Sequence, residues 1–552
     1  MTSTLPTDPA TEPATEPATS AAAGAPGTAP APTSRWRPAW VTDARVASWR
    51  RWVQAAAGAE TRVALAPYDG LPTVPVPAST VDDVTAAVEA ARAAQPAWAA
   101  LPYAARAAVI LRFHDLLVQR QDEVMDLIQW EMGKARYHAW QEVLQVANLA
   151  RHYARHGETY LRPKKVRGAV PLVTTAKEIR IPKGVVGFIS PWNYPFYLGV
   201  GDVIPALLAG NAGVGKADPQ APLTMLWARA LMAEAGLPEH VWAVVAGDGP
   251  VLGEAVIDHV DYVCFTGSTA TGRIVAQRAA SRLIGASLEL GGKNPSIVRA
   301  DADLDVAARG VVDAAFANTG QMCIHLERII VHREVYDEFV VRLLAATSAQ
   351  RVGASFGFEH AVGSLASRAQ LEKVSRHVDD AVAKGATVLA GGRARPDLGP
   401  FFYQPTVLAD VTDDMELCLG ETFGPVISLY RATDDEDAIA QANRGRQGLS
   451  ASIFSRDIAA AEAMAPRIRA GSVNINDGAS LAAGTVEAGM GGMGESGLGK
   501  RHGSDGITRF TTAQTVVASK IGPVGPPPGT PVERFVAMAN RQLVVLRRLG
   551  VR

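Results

Sequence analysis

The sequence predicts an α/β fold made of two successive α/β lobes. Short apolar segments typical of buried strands alternate with helical segments from Gly184 onward, and the alternation resumes after Glu289. The chain has 552 residues, of which 48% are hydrophobic, so it can bury more than one hydrophobic core. Together these observations predict two series of βαβ units, one in each lobe.

The first 34 residues stand apart from this pattern. They are rich in Pro, Ala and Thr and contain a Thr-Glu-Pro-Ala repeat at residues 11–18. Because few large apolar side chains are present to offset the entropy of ordering, residues 1–34 are predicted to be disordered. No basic start precedes an apolar core, so a secretory signal is not expected.

The predicted elements follow in order along the chain. Residues 80–160 are predicted to be helical, because Val81, Val84, Ala87 and Val88 recur at helical spacing. Residues 177–181 alternate as a strand does. The first βαβ series has predicted strands at residues 184–190, 212–216, 241–246 and 262–265 and helices at 221–235 and 271–280. The second series has predicted strands at 328–331 and 388–389.

Composition excludes several classes of protein. The formal net charge is −1 and the pI is about 6.9, which does not favour a nucleic-acid partner. The three cysteines, Cys264, Cys323 and Cys418, are widely spaced and suggest neither a disulfide framework nor a metal site. They favour a reducing compartment, and a cytoplasmic location is expected. No apolar run reaches the roughly 18 residues that a membrane span requires.

Two segments point to a reaction class. Glu289 lies beside Gly291 and Gly292, and Cys323 follows in a loop of small residues. A thiol and a carboxylate are the groups needed to form a thioester and hydrolyse it. Taken alone, Cys323 could equally be a packed core cysteine and Glu289 a surface carboxylate. His325 could form a Cys–His pair, but residues two apart rarely face each other, so it is expected to line a pocket or to pack.

The signal for a dinucleotide is distributed. Residues 247–253 resemble the glycine-rich fingerprint with one residue too many, which is weak support. The next unit is better, since the strand at 262–265 leads through Gly267 and Ser268 to a helix containing Gly272. Backbone N–H groups at that helix start could receive a pyrophosphate. The alternative is that these glycines only permit a tight turn.

Seven motifs in order make the chain resemble the aldehyde dehydrogenase superfamily from about Val76 to Lys520. They are Pro191-Trp192-Asn193-Tyr194-Pro195, Lys216, Phe265-Thr266-Gly267-Ser268, Glu289-Leu290-Gly291-Gly292-Lys293, Gly320-Gln321-Met322-Cys323, Glu421-Thr422-Phe423-Gly424-Pro425 and Gly491-Gly492-Met493-Gly494-Glu495-Ser496-Gly497. Within the superfamily, the chain is most similar to the actinobacterial, second-form type of NADP-dependent succinate-semialdehyde dehydrogenase. The segment 131–136, Arg501-His502-Gly503 and an extended tail carry that likeness.

The resemblance implies a role for each motif. Cys323 would be the nucleophile, Glu289 the general base, and the Asn193 side chain with the Cys323 N–H the oxyanion donors. NADP, or else NAD, would be the cofactor, and no metal is implied. The residues implied in cofactor binding are Trp192, Asn193, Lys216, Ala217, Asp218, Pro219, Gly267, Ser268, Gly272, Leu290, Glu421 and Phe423.

Two departures from the family pattern bear on specificity. NAD-preferring members carry a glutamate where this chain has Pro219, and losing that carboxylate favours NADP, although Asp218 complicates the inference. Other succinate-semialdehyde dehydrogenases hold the substrate carboxylate with arginines where this chain has Gly201 and Ala317. Tyr197 and the loop at 478–488 are therefore candidates for shaping the pocket. An uncharged aliphatic or aromatic aldehyde is the alternative substrate, and a non-catalytic cofactor-binding relative is a third hypothesis.

The resemblance also implies a domain organisation. Residues 35–162 and 181–290 would form the dinucleotide-binding domain and residues 291–493 the catalytic domain. Residues 163–180 and 505–521 would be the oligomerisation elements of a homodimer or homotetramer. Residues 522–552 would be a Pro-rich linker and an amphipathic helix. That helix is expected to dock on the enzyme rather than to contact a membrane, although membrane contact is the alternative.

Overall fold

The computed structural model describes residues 33–170 and 173–550. The predicted disordered segment, residues 1–34, lies almost entirely outside the described residues. The chain divides into two compact units. The first comprises the described part of Met1–Tyr160 together with Pro182–Thr511, and the second comprises Leu161–Ile181 and Thr512–Arg552 as far as they are described.

The helices are α1 (Asp43–Arg50), α2 (Val81–Ala100), α3 (Tyr103–Gln119), α4 (Gln121–Met132), α5 (Arg136–Leu161), α6 (Pro195–Val200), α7 (Val203–Leu208), α8 (Pro222–Glu234), α9 (Gly249–His259), α10 (Thr269–Ser281), α11 (Leu304–Ala315), α12 (Tyr336–Ser348), α13 (Arg368–Ala383), α14 (Glu416–Leu419), α15 (Asp435–Ala442), α16 (Ile458–Met464), α17 (Ser480–Gly484), α18 (Gly503–Thr508) and α19 (Val532–Arg548).

The strands are β1 (Thr61–Arg62), β2 (Leu65–Ala66), β3 (Leu71–Pro72), β4 (Val76–Pro77), β5 (Lys164–Arg167), β6 (Thr174–Pro182), β7 (Val185–Ile189), β8 (Ala212–Ala217), β9 (Trp242–Ala246), β10 (Tyr262–Thr266), β11 (Gly285–Glu289), β12 (Asn294–Val298), β13 (Leu326–His332), β14 (Thr387–Ala390), β15 (Thr406–Ala409), β16 (Val426–Ala432), β17 (Gln447–Gly448), β18 (Ser450–Phe454), β19 (Ser472–Ile475), β20 (Met493–Gly494), β21 (Gly497–Leu498) and β22 (Thr511–Ser519).

The helical region predicted before the first βαβ series is confirmed as α2 to α5. Helix α2 begins at a capping box, in which Thr80 and Asp83 satisfy each other's backbone N–H groups. Its buried residues include Val84, Ala87 and Val88, which the periodicity had assigned to one face. That face belongs to the same core as the apolar residues of β7 to β10.

The first α/β lobe contains a six-stranded sheet in the order β21-β11-β10-β7-β8-β9. All neighbours pair in parallel except β11 and β21. The central strands β7 to β10 are buried along their whole length, which explains their unbroken apolar sequences. The chain runs from β7 outward to β8 and β9 and then returns to the other side of β7 at β10. The carboxyl ends of β7 and β10 therefore flank the crevice in which open α/β sheets bind ligands.

The second lobe contains a seven-stranded sheet in the order β14-β15-β16-β13-β12-β18-β19. Its pairs are parallel apart from the edge pair β14–β15. Helices α11 and α12 contribute Val311, Phe339 and Leu343 to the core on one side, and α15 contributes Ile439 to a separate core. The predicted second α/β series is thus confirmed.

The second compact unit contains a three-stranded sheet in the order β22-β6-β5 and the helix α19. Strands β5 and β6 form an antiparallel pair in which Lys164 lies opposite Glu178. The predicted C-terminal helix is confirmed at Val532–Arg548, and none of its residues is buried. Within residues 33–170 and 173–550, no helix has both the length and the apolar content needed to cross a bilayer.

Candidate active site

Three chain segments bring the predicted catalytic residues to the crevice. Asn193 follows β7, and Glu289 is the last residue of β11. Cys323 lies in the loop before β13, beyond a 3-10 turn at Ala317–Gly320. Electrostatic interactions reach from Glu289 to the Cys323 thiol. These residues are separated by many positions in sequence, and the fold gathers them because strands of both sheets end or begin at this point.

The loop that carries Cys323 has an unusual backbone. Asn318, Thr319 and Gly320 have φ angles of 48°, 58° and 72°, all in the left-handed region. A Cβ atom on Gly320 would lie 1.9 Å from the Gly424 carbonyl oxygen, so only glycine fits there. Such strain persists only where surrounding contacts determine the conformation.

Side-chain amides supply those contacts. Gln321 accepts a 2.9 Å hydrogen bond from the Ala366 N–H and donates a 3.1 Å bond to the Asn318 carbonyl. The Asn294 amide donates to the carbonyls of Cys323 and His325, each at 2.8 Å. The backbone on both sides of the predicted nucleophile is therefore held by buried amides.

Asn193 is anchored in the same framework. Its Nδ2 donates to the Gln321 carbonyl at 3.0 Å, and its own carbonyl accepts from Asn318 Nδ2 at 2.9 Å. The amide is 5% exposed. Because an amide nitrogen has two protons, one remains for a further acceptor. This arrangement fixes the Asn193 side chain beside the Cys323 loop.

A buried ion pair supports the segment after Asn193. Lys134 Nζ lies 2.5 Å from Glu142 Oε1, and both side chains are fully buried. Glu142 Oε2 accepts from the N–H groups of Phe196 and Tyr197 at 3.0 and 2.9 Å, so it satisfies two donors at the start of α6. Lys134 Nζ also lies 3.6 Å from the centre of the Tyr194 ring.

The predicted nucleophile and base have pKa values displaced by burial. Burial first, and then the neighbouring carboxylates Glu289 and Glu421, raise the pKa of the Cys323 thiol to about 12. Burial also raises the pKa of Glu289 to about 7, and the positive charges of Arg501 and Arg509 oppose that rise. Glu289 Oε1 has no hydrogen-bond partner among the described residues. Glu289 therefore changes protonation state near neutral pH, as a general base should.

His325 is a packing residue rather than the partner of Cys323. It is fully buried, its Nδ1 lies 2.5 Å from the Met322 carbonyl oxygen, and its Nε2 lies 3.0 Å from Glu327 Oε1. The ring meets Phe423 edge-on at 6.1 Å. The two ring nitrogens thus lie near the Met322 carbonyl and the Glu327 carboxylate, and no contact with the Cys323 thiol is recorded among the described residues.

One group of residues predicted to bind the dinucleotide, Lys216 to Pro219, lies at the end of β8 and directly after it. Lys216 is 3% exposed, yet its ammonium group forms no hydrogen bond or ion pair with the described residues. Its Nζ lies 3.4 Å from where a Cβ on Gly249 would stand, at the start of α9. Burial lowers the pKa of Lys216, and Asp218 and Asp248 oppose that change. Ala217 is buried, and Asp218 Oδ1 accepts from the Gln220 N–H at 2.9 Å next to Pro219.

The residues predicted to contact the pyrophosphate lie after β10. The Gly267 N–H donates to the Glu289 carbonyl at 3.1 Å, and Ser268 caps α10 by accepting from the Thr271 N–H. A Cβ on Gly272 would lie 2.4 Å from a methyl carbon of Leu290, so glycine is needed where this helix approaches the strand end. The structure therefore assigns Gly272 to close packing and places Ser268 at the helix start.

Glu421, Phe423 and Trp192 form the side of the crevice nearest Cys323. Glu421 Oε1 accepts from the Gly292 N–H at 3.1 Å, and burial raises the pKa of its carboxyl. Phe423 and Trp192 meet edge-on at 5.6 Å. Glu327 accepts from the N–H groups of Thr422 and Phe423 and pairs with Lys293, so it fixes the segment that presents Glu421.

Several functional residues were not identified from the sequence. Asn294, Asn318, Gln321 and Glu327 carry the hydrogen-bonded framework, and although Gln321 lies in the motif that ends at Cys323, no local pattern indicates these roles. A further group is a buried charge cluster, in which Arg501 and Arg509 both pair with Asp202. Arg501 also donates to Thr266 Oγ1 at 2.5 Å, and Thr266 is the cross-strand neighbour of Glu289. In the sequence, Arg501 stands out only as a feature of the subgroup that the chain resembles.

These residues fit a dinucleotide cofactor. A buried ammonium group without a bonded partner, Lys216, suits a phosphate or ribose, and the second oxygen of Glu421 is available to hydroxyl groups. The start of α10 offers N–H groups to an anion. No cluster of His, Cys, Asp and Glu able to hold a metal ion occurs in the described part of the chain.

Comparisons with known proteins agree with this geometry. A Mycolicibacterium smegmatis protein named "Putative succinate-semialdehyde dehydrogenase [NADP(+)]" is 49% identical over 462 residues, 84% of this chain and 89% of that protein. A vanillin dehydrogenase of Corynebacterium glutamicum is 37% identical over 456 residues, 81% of this chain and 92% of its own length. The crystal structure of a succinate-semialdehyde dehydrogenase from Burkholderia pseudomallei superposes with a TM-score of 0.81 at 33% identity, covering 84% of this chain and 96% of that one. Residues 52–516 match the aldehyde dehydrogenase family profile, and the chain therefore belongs to the aldehyde dehydrogenase family.

Proposed function

We propose that this protein oxidises an aldehyde to a carboxylic acid with a nicotinamide dinucleotide, through a thiohemiacetal and then a thioester on Cys323. The observation that carries the proposal is the convergence of Cys323, Glu289 and Asn193 on one crevice. A thiol, a carboxylic acid with a pKa near neutrality and an anchored amide are what acyl chemistry of this kind requires.

The residues divide the chemistry among them. With a pKa of about 12, the Cys323 thiol is protonated at neutral pH, so it must lose its proton to solvent as the sulfur bonds to the aldehyde carbon. The free proton of Asn193 Nδ2 and the Cys323 N–H would stabilise the oxyanion of the adduct. The bound dinucleotide supplies the hydride acceptor. Glu289 then takes a proton from the water that hydrolyses the thioester.

NADP is the proposed cofactor, and NAD is the alternative. Pro219 places no carboxylate where a 2′-phosphate would lie, and the partnerless ammonium group of Lys216 suits that phosphate. Asp218 is nearby and complicates this preference, since its carboxylate would repel an anion; burial raises the pKa of that carboxyl, and the Lys216 charge opposes the rise. The name of the M. smegmatis relative specifies NADP as well.

Succinate semialdehyde is the proposed substrate. The names of the M. smegmatis relative and of the B. pseudomallei structure support it. The alternative is an uncharged aldehyde, which the vanillin dehydrogenase relative and the absence of arginines at Gly201 and Ala317 favour.

A substrate panel tests these proposals together. The purified full-length protein would be assayed with succinate semialdehyde, pentanal and benzaldehyde, each with NADP and with NAD. We expect the highest kcat/KM with succinate semialdehyde and NADP. No aldehyde-dependent reduction of either cofactor would overturn the proposed activity, whereas a preference for pentanal or benzaldehyde would overturn only the substrate.

The proposal extends to assembly and location. We propose a homodimer or homotetramer assembled through residues 163–180 and 505–521, because a sheet edge left exposed in a monomer invites further pairing. Sedimentation at micromolar concentration would reveal the oligomer. Finding only monomer would overturn this proposal. A cytoplasmic location is proposed from the three unpaired cysteines.

A further inference from the structure

A wide cleft opens on the outer face of α5. Residues 148–156 of this helix form one wall, and residues 484–487, at the end of α17 and beyond it, form the other. The volume of the cleft is about 450 Å³, which is large enough for a small organic anion.

The wall formed by α5 is basic. Arg151, Arg155 and His156 are exposed on it, and Arg155 forms no hydrogen bond or ion pair with the described residues. Arg151 donates only to Asn148 Oδ1, at 2.9 Å. One acidic residue, Glu487, lines the cleft and cannot neutralise both arginines.

A buried histidine adds an unpartnered polar group. His152 is 6% exposed, and its Nε2 has no hydrogen-bond partner although it lines the cleft. Burial, and then the neighbouring His156, lower the pKa of His152, so its ring is neutral at neutral pH. The positive charge of the cleft therefore belongs to the two arginines.

The cleft borders an inner cavity whose Tyr197 interacts electrostatically with Glu289 and Cys323. Leu149 and Tyr153, on the adjacent face of α5, line a small inner cavity together with Tyr197 and His502. The Gly503 N–H donates to the Val486 carbonyl at 2.9 Å, so the far wall of the cleft is bonded to the segment that carries His502. Ala483, next to that wall, packs against the same hydrophobic core as Cys323.

The inner arginines do not provide a carboxylate site themselves. Arg501 and Arg509 both pair with Asp202, and the cavity beside them has a volume of about 10 Å³, room for about one water molecule. The arginines with uncommitted charge are those of the outer cleft.

We propose that this cleft is the entrance for an aldehyde that carries a carboxylate, and that Arg151 and Arg155 are its specificity-determining residues. The inference rests on the proposed function and deepens it by naming the residues that select an anionic substrate. Charges lining a cleft focus the field and raise the local concentration of the oppositely charged ligand. Gly201 and Ala317 provide no positive charge that could bind the substrate carboxylate. Arg151 and Arg155 would select for that carboxylate instead.

The test compares a charged and an uncharged substrate. The values of kcat/KM for succinate semialdehyde and for pentanal, an uncharged aldehyde of similar length, would be measured at low and high salt. The variants are Arg151→Gln with Arg155→Gln, the charge-preserving pair Arg151→Lys with Arg155→Lys, and Arg456→Gln as an exposed arginine outside the cleft. We expect the glutamine pair to lose about tenfold in kcat/KM for succinate semialdehyde at low salt, the order of an electrostatic steering effect.

The uncharged substrate and the controls make the result specific. Pentanal should change by less than about twofold, the lysine pair and Arg456→Gln should resemble the unaltered enzyme, and salt should abolish the difference between the glutamine pair and the parent. A glutamine pair that keeps full kcat/KM for succinate semialdehyde would overturn the inference while leaving the proposed substrate intact. Equal losses with both aldehydes would also overturn it, since a distorted helix α5 would have that effect. A parent enzyme that prefers pentanal would instead overturn the proposed substrate.

Discussion

At the residue scale, Glu289 is the group whose environment most directly sets the chemistry. Replacing it by glutamine preserves the shape of the side chain and removes its ability to accept a proton. We expect Glu289→Gln to form the acyl-enzyme and release it slowly, which would give a burst of reduced cofactor without steady turnover. Cys323→Ala is the matched control, since it should give no burst and still bind the cofactor. Normal turnover by Glu289→Gln would show that another group is the base.

The pH dependence of turnover follows from the same carboxyl. The pKa of Glu289 is raised to about 7, so below that pH the base is protonated and above it the base is ionised. The rate should therefore rise with pH and reach half its plateau near 7. The positive charge of Arg501 opposes the rise in the pKa of Glu289. Arg501→Met should therefore move the rising part of the pH–rate profile to higher pH.

Two variants serve as controls for the pH shift expected in Arg501→Met. Arg501→Lys keeps the positive charge, so the rate should rise at nearly the same pH as in the parent. Arg456→Gln, a change at a distant exposed arginine, should not alter that pH. A thermal melt of each variant would establish that the fold is retained, because Arg501→Met leaves Asp202 paired with Arg509 alone. If the rate of Arg501→Met rises at the same pH as that of the parent, the charge cluster does not act on Glu289.

At the scale of elements, the loop before β13 shows what backbone geometry demands. A methyl group on Gly320 would lie 1.9 Å from the Gly424 carbonyl oxygen in a left-handed conformation. Gly320→Ala should therefore displace Cys323 and cost on the order of 1–3 kcal/mol of stability. We expect a large loss of kcat. Cofactor binding and the melting temperature would be measured on the same variant, to separate a displaced Cys323 from a general loss of structure. Gly385→Ala, also at positive φ but with no atom near its Cβ, is the control and should keep its activity.

The loop after β8 should determine cofactor choice. Pro219→Glu introduces a carboxylate where a 2′-phosphate is proposed to lie, beside Lys216, and should lower kcat/KM for NADP relative to NAD. Asp218→Asn tests the other acidic residue, and it should favour NADP further. If the unaltered enzyme uses NAD as well as NADP, the proposed preference is wrong.

The sequence predicted the central strands and named candidate reacting groups, but it did not predict the contacts that hold those groups in place. The strands β7 to β10 were predictable because a buried parallel strand needs an unbroken apolar run. Cys323 and Glu289 were identifiable because thioester chemistry permits few residue types and the flanking motifs are specific. The pairing of Asp202 with Arg501 was not predictable, because 299 residues separate them and only the tertiary fold brings them together. The amide framework of Asn318 and Gln321 escaped prediction in part because it bonds to Asn193, more than 100 residues earlier in the chain.

At the scale of the whole molecule, the feature that bears on assembly is helix α19, which exposes apolar side chains to solvent. Helix α19 has no buried residue, and Val532, Leu543 and Leu549 are 59%, 64% and 69% exposed. A helix with so much exposed apolar surface gains stability when that surface is covered. The helix also carries four arginines, at positions 534, 541, 547 and 548, so an anionic membrane and a neighbouring subunit are the two candidate surfaces.

Deleting residues 523–552 separates these two candidates. We favour docking within the enzyme's own assembly, because the apolar face is short enough for a subunit surface to cover. The deletion should then lower the melting temperature or the oligomer fraction in sedimentation, with kcat for the aldehyde unchanged, since no residue assigned to the site lies within residues 523–552. Leu543→Glu in the full-length protein should reproduce part of the effect, whereas Arg541→Gln, a change of charge on the same helix, should not. A deletion that leaves stability and assembly intact but abolishes binding to anionic liposomes would contradict docking and assign the helix to a membrane surface.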